Sequence, residues 1–155
     1  MWLDTAKEFR QLFPAKKYKI ILIGNASWCG LADEFPYWDQ VLPIDSKKFK
    51  SFSGYRGDCL KKIKNMRAHI AIQPTFSREF YNGDTIIRAS TALKKVGSVG
   101  DMSNRNWLKK IISDRWYTKL IPASEIKMTE LERNSKFFQG FPKNHTNYLI
   151  PVCLV

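Results

Sequence analysis

The chain has 155 residues, 44% of them apolar and 14% aromatic, which suits one folded domain with an ordinary core and excludes a disordered tail. Twenty-six Lys and Arg against 14 Asp and Glu give a formal charge of +12, a field that attracts nucleotides, nucleic acid, anionic lipid or an acidic protein. No run approaches the roughly 18 apolar residues of a membrane helix, so no membrane span is expected, and the acid-bearing start "MWLDTAKEFRQLF" leads to a cytoplasmic expectation.

In chain order, residues 3–13 carry Leu3, Ala6, Phe9 and Phe13 at helical spacing, closed by Pro14. "KYKIILIG" is a continuous, β-branched apolar run, the pattern of a strand buried on both faces. Residues 25–38 read as a turn region with one helical turn at "LADEF". "QVLPID" reads as a strand that Pro43 holds short or at an edge. "SFSGYRG" reads as loop, after which Asp58 caps a helix over "CLKKIKNMR". "AHIAIQP" is a second buried strand, with His69 inside it, stopped by Pro74.

"DTIIRASTALKKVG" reads as one helix from Asp84 to Gly97. "SNRNWLKKIISD" reads as another, capped by Ser103, with Trp107, Leu108, Ile111 and Ile112 turned inward. "WYTKLIP" is a strand. "SEIKMTELERNSKFF" is helical, with Thr129 and Glu132 at capping-box spacing. "NYLIPVCLV" closes the chain as a strand. Strands alternating with helices give an α/β fold, a single domain with a central, mostly parallel sheet flanked by helices.

In such sheets ligands sit beyond the carboxyl ends of the strands. The loops after "KIILIG", "VLPID" and "AIQP" are therefore the expected ligand edge. At the first, Gly24 allows close backbone approach, Asn25 both donates and accepts, and Ser27 adds a hydroxyl. There is neither a G-x-G-x-x-G nor a Walker loop, and the two histidines and scattered acids nominate no metal site, so no cofactor is expected. Cys29, Cys59 and Cys153 form no C-x-x-C pair and read as small buried thiols.

The stretch "LFPAKK…KIILIGNAS" resembles the opening of sialyltransferase-like glycosyltransferases. The likeness runs on through "YWDQVLPID" and the turn "GYRGD", over about residues 12–60. It departs from that pattern at Pro43, at Asp45 where the family has Asn, and at Trp28 and Cys29. The resemblance implies a nucleotide or nucleotide-sugar site held by Gly24, Asn25, Ser27 and Asp45, with Asp58 ordering the second loop. It further implies sugar transfer with a histidine acting on the acceptor, for which His145 in "FPKNHTNY" is the candidate.

A second expectation is a basic, non-catalytic module for nucleic acid or an acidic protein, using Lys47, Lys48, Lys50, Tyr55, Arg56, Lys61 and Lys62. In it, aromatics stack on bases while cations meet phosphates.

Overall fold

The computed structural model describes residues 5–51, 54–122, 129–141 and 150–154. The chain is α/β, and among the described residues six strands form one sheet: β1 (Tyr18–Asn25), β2 (Gln40–Ile44), β3 (Ile70–Gln73), β4 (Lys94–Ser98), β5 (Lys119–Ile121) and β6 (Ile150–Leu154). Their order across the sheet is β2-β1-β6-β3-β4-β5, and every neighbouring pair is parallel. β1 is apolar on both faces because both are covered. Tyr18, Ile20 and Leu22 enter one layer, and Ile21 and Ile23 enter the other.

The first layer holds α1 (Ala6–Leu12), α2 (Ala26–Asp33) and α7 (Glu130–Gln139). Phe9, Phe13, Phe137, Phe138 and Phe141 pack there on Ile70, Ile72, Val96 and Ile121. The second layer holds α3 (Ser46–Lys50), α4 (Gly54–Asn65) and α5 (Thr85–Ala89), whose Phe49, Ile63, Ile86 and Ile87 meet Ile44 and Ala71. β2 lies at the sheet's edge, where Pro43 removes no ladder bond the sheet needs. The Thr129–Glu132 capping box is formed as its spacing implies.

Several elements differ from their sequence reading. Residues 26–33 are helical: Asn25, in an extended conformation, accepts the Ser27 N–H at 3.1 Å and starts α2. Gly54, Tyr55 and Arg56 form the first turn of α4 and not a loop, so Asp58 lies within that helix and does not cap it. The expected helix from Asp84 to Gly97 is instead a π-helical turn (Phe80–Asp84), α5, and then β4.

The Ser90 hydroxyl bonds to Ile87 O at 2.7 Å and Thr91 takes φ 53°, which together turn the chain out of α5. α6 (Trp107–Asp114) is capped by Asn106, which accepts the Lys109 N–H at 2.9 Å. Ser103 is engaged with Asp101 instead. Trp107, Leu108, Ile111 and Ile112 point outward, not inward. His69 is exposed just ahead of β3. Among the described residues no helix is long and apolar enough to cross a membrane.

Candidate functional site

Successive connections lead from β1 outward to β2 and from β3 outward the other way to β4 and β5. The direction of winding therefore reverses between β1 and β3, where loops leaving the sheet diverge and open a crevice at its carboxyl edge. A cavity of about 370 Å³ occupies that place. β1 supplies Gly24 and Asn25, and α3 after β2 supplies Ser46 and Lys50. Gln73, Thr75 and Ser77 come from the end of β3, and Glu79, Asn82 and Gly83 from the π-helical turn. All three loops expected at the ligand edge contribute. The floor is apolar, made by Leu22, Ile23, Ile44 and Ile86, with the half-buried Trp28 as one wall.

Two glycines shape this space. A Cβ on Gly24 would lie 2.4 Å from Cη2 of Trp28, so only glycine lets the indole lie across the strand end. A Cβ on Gly83 would lie 2.0 Å from Gln73 Nε2. Gln73 cannot simply swing aside, because it is 3% exposed and Tyr117 donates its hydroxyl proton to Gln73 Oε1. Lys50 Nζ and Glu79 Oε2 pair at 2.7 Å, with both side chains partly in solvent.

Behind Gln73 lies a buried ionic cluster. Tyr117 Oη is also 2.7 Å from Asp84 Oδ1. Asp84 sits between Arg78 (Nε to Oδ1, 3.6 Å) and Arg105 (Nη1 to Oδ2, 3.5 Å), and all three side chains are fully enclosed. Arg78 and Arg105 also meet Asp114, which Lys110 Nζ approaches to 2.7 Å. Burial, then the Asp84 charge, pushes the Tyr117 hydroxyl well above its ordinary pKa and keeps it a proton donor.

Burial alone would raise the Asp114 carboxyl, but the Lys110 hydrogen bond and the Arg78 charge outweigh it and hold it below the usual range. A depressed folded-state pKa adds stability above the unfolded value of about 3.9, and that stability is lost as pH falls below this value and through the lower folded one. Wild type is therefore expected to melt progressively earlier as pH drops from about 5 to 3. The melting gap between wild type and Asp114→Asn should narrow over the same interval. Thermal melts by circular dichroism across that range check this, and a constant gap would refute it.

The residues singled out from sequence are thus divided. Gly24 and Asn25 line the cavity, although the Asn25 side-chain oxygen is already used to cap α2. Ser27 is exposed and does not line the cavity. Asp45 caps α3, accepting the Lys47 and Lys48 N–H groups at 3.0 Å each. Asp58 is exposed on α4 and does not line the cavity. His145 and Cys153 fall outside the residues whose side chains the structure describes.

Lys47, Lys48, Lys61 and Lys62 are exposed, and Lys50 joins the cavity. Tyr55 is half-buried, its oxygen taking the Asp45 N–H at 2.9 Å. Arg56 is buried, donating to Phe49 O at 2.8 Å and Tyr81 O at 3.0 Å. Cys29 and Cys59 are buried, and burial raises the Cys29 thiol, which keeps it protonated.

Sequence reasoning missed Trp28, Gln73, Glu79 and Gly83. One signal was present: Gln73 is a polar residue ending an apolar strand, placed where such strands deliver side chains to a ligand edge.

Compared with family models, curated proteins and solved structures, the chain has no match in any of the three. The cavity offers an aromatic wall, an apolar floor, a cluster of hydroxyl and amide groups, and one cation already balanced by one carboxylate. Among the described residues no three His, Cys, Asp or Glu side chains are grouped as metal ligands.

Proposed function

We propose that the crevice between β1 and β3 binds a nucleotide or nucleotide sugar. The observation behind this reading is the cavity of about 370 Å³ at the reversal of strand order, walled by Trp28 and lined by Asn25, Ser46, Thr75 and Asn82. A base would lie against the Trp28 indole and the apolar floor. Sugar hydroxyls would meet the hydroxyl and amide side chains, and the phosphate would draw Lys50 away from Glu79. The glycosyltransferase-like reading of "KIILIGNAS" agrees with this use of Gly24 and Asn25. Transfer of the sugar, with His145 as acid or base, and a cytoplasmic setting belong to the same proposal.

The polyanion alternative now rests on its lysines, because Tyr55 and Arg56 hold Asp45 N–H, Phe49 O and Tyr81 O inside the fold. The test is a thermal-shift series with CMP, UMP, UDP and GDP beside single-stranded and duplex DNA, at low and moderate salt. A rise in melting temperature with a mononucleotide that persists in salt supports the crevice. A shift with DNA alone that vanishes as salt rises overturns it in favour of a basic binding surface.

Lys50→Gln sharpens the result. The Lys50–Glu79 pair is solvent-accessible, so its loss should cost at most about 1 kcal/mol of stability. Nucleotide affinity by calorimetry should fall about tenfold or more, since the cation is gone and Glu79 is left facing the phosphate. Unchanged affinity would exclude Lys50 from the site.

A further inference from the structure

Helix α6 is assembled with its polar side toward the protein. Lys109 Nζ stands 4.7 Å from the centre of the Tyr81 ring. Lys110 Nζ reaches Asp114 Oδ2 at 2.7 Å and Val99 O at 3.4 Å. The fully buried Ser113 accepts a hydrogen bond from Arg105 Nη1 at 3.1 Å. The buried ionic cluster is thus the surface on which this helix docks. Its apolar side chains are left in solvent: Trp107, Leu108, Ile111 and Ile112 are 65%, 50%, 46% and 38% exposed. Trp107 with Ile111 and Leu108 with Ile112 are i, i+4 neighbours, so the four make one continuous stripe. A helix that simply met water would be turned the other way.

We propose that α6 seats the protein on an anionic lipid surface, its Trp107–Ile112 stripe entering the boundary between headgroups and acyl chains. The charge of the chain selects this occupant. At +12 the molecule is drawn to a negatively charged bilayer, whereas a second copy would bring the same +12 against it. The stripe carries a single hydrogen-bonding group, the Trp107 indole N–H, and so offers little to orient a specific protein partner. An indole at the rim of an aliphatic patch suits the headgroup level of a bilayer. This inference is independent of the nucleotide reading, because α6 contributes no residue to the cavity.

The test is flotation of the full chain with phosphatidylcholine vesicles and with vesicles of phosphatidylcholine mixed with phosphatidylglycerol. Wild type is expected to float with the mixed vesicles and not with phosphatidylcholine alone. The double variant Trp107→Ser/Ile111→Asn should lose about tenfold or more in partitioning at an unchanged melting temperature. If the double variant melts early, Trp107→Phe carries the test: quenching of tryptophan emission by brominated acyl chains should largely disappear. Failure of wild type to float overturns the proposal. So does flotation undiminished by the double variant, or a lipid-free dimer in sedimentation velocity that the double variant dissolves.

Discussion

Replacing Asp84 by alanine is expected to be among the most damaging single changes in this protein, lowering stability by about 3–5 kcal/mol. The carboxylate is fully enclosed, with a guanidinium on either side at 3.5 and 3.6 Å. These separations are those of charge pairing more than of hydrogen bonding, and Asp84 Oδ2 and Arg78 Nε make no hydrogen bond among the described residues. Among the described residues, removing the anion leaves two buried cations with Asp114 to balance them, itself shared with Lys110.

It also removes the carboxylate oxygen that lies 2.7 Å from Tyr117 Oη, behind Gln73 at the back of the cavity. At this chain length the melting temperature should fall by roughly 10 °C. Asp84→Asn, which keeps an acceptor for Tyr117 but not the charge, should fall between alanine and wild type. Chemical denaturation of the three proteins measures this. A loss under about 1 kcal/mol for alanine would mean that the arginines find water or other partners when the carboxylate is gone.

Phe9→Ala should cost a comparable amount, about 3–5 kcal/mol. Phe9 is 0% exposed, and its ring lies 4.8 Å from Phe13, 5.3 Å from Phe138 and 6.1 Å from Trp38, centre to centre. α1 has seven residues and cannot hold itself together in water, so its position depends on this ring. The substitution opens a cavity among α1, α7 and the sheet. Phe35→Ala, at a ring 36% exposed and stacked on Tyr37, should stay within about 0.5 kcal/mol of wild type. Urea unfolding of both gives the comparison, and equal losses would show that the aromatic cluster does not hold α1.

The architecture was largely legible because its central strands are unambiguous. "KIILI" and "IAI" have no other stable use than burial on both faces, and Pro43 marks an edge by removing a donor. The capping box at Thr129 followed from equally local chemistry, and the loops singled out at the sheet's carboxyl edge do line the cavity. What could not be read depended on contacts distant in sequence.

β4 reads as the tail of a helix because Lys94 and Lys95 are good helix formers. Its strand character comes from pairing with β3 and β5 and from Gly97 making room for Tyr117. α6 has a clean amphipathic period, yet the period does not say which side meets the protein. A buried ionic cluster assembled from Arg78, Asp84 and Arg105 reversed the ordinary choice. The cavity walls Trp28, Gln73 and Gly83 converge from segments up to 55 positions apart and share no local pattern.

The place of β6 sets an order on the making of the fold. Among the described residues, 150–154 pair with β1 on one side and β3 on the other, and so join the β2–β1 ribbon to the β3–β4–β5 ribbon. Until that strand is laid in, the two ribbons share no strand pairing among the described residues, and the crevice between them has no fixed width. The closing contacts link Tyr18 to Ile150, a loop of most of the chain, which places the molecule among slow-closing topologies. During synthesis two half-sheets with open edges emerge before the residues that clasp them, and the crevice takes its shape only once β6 is in place.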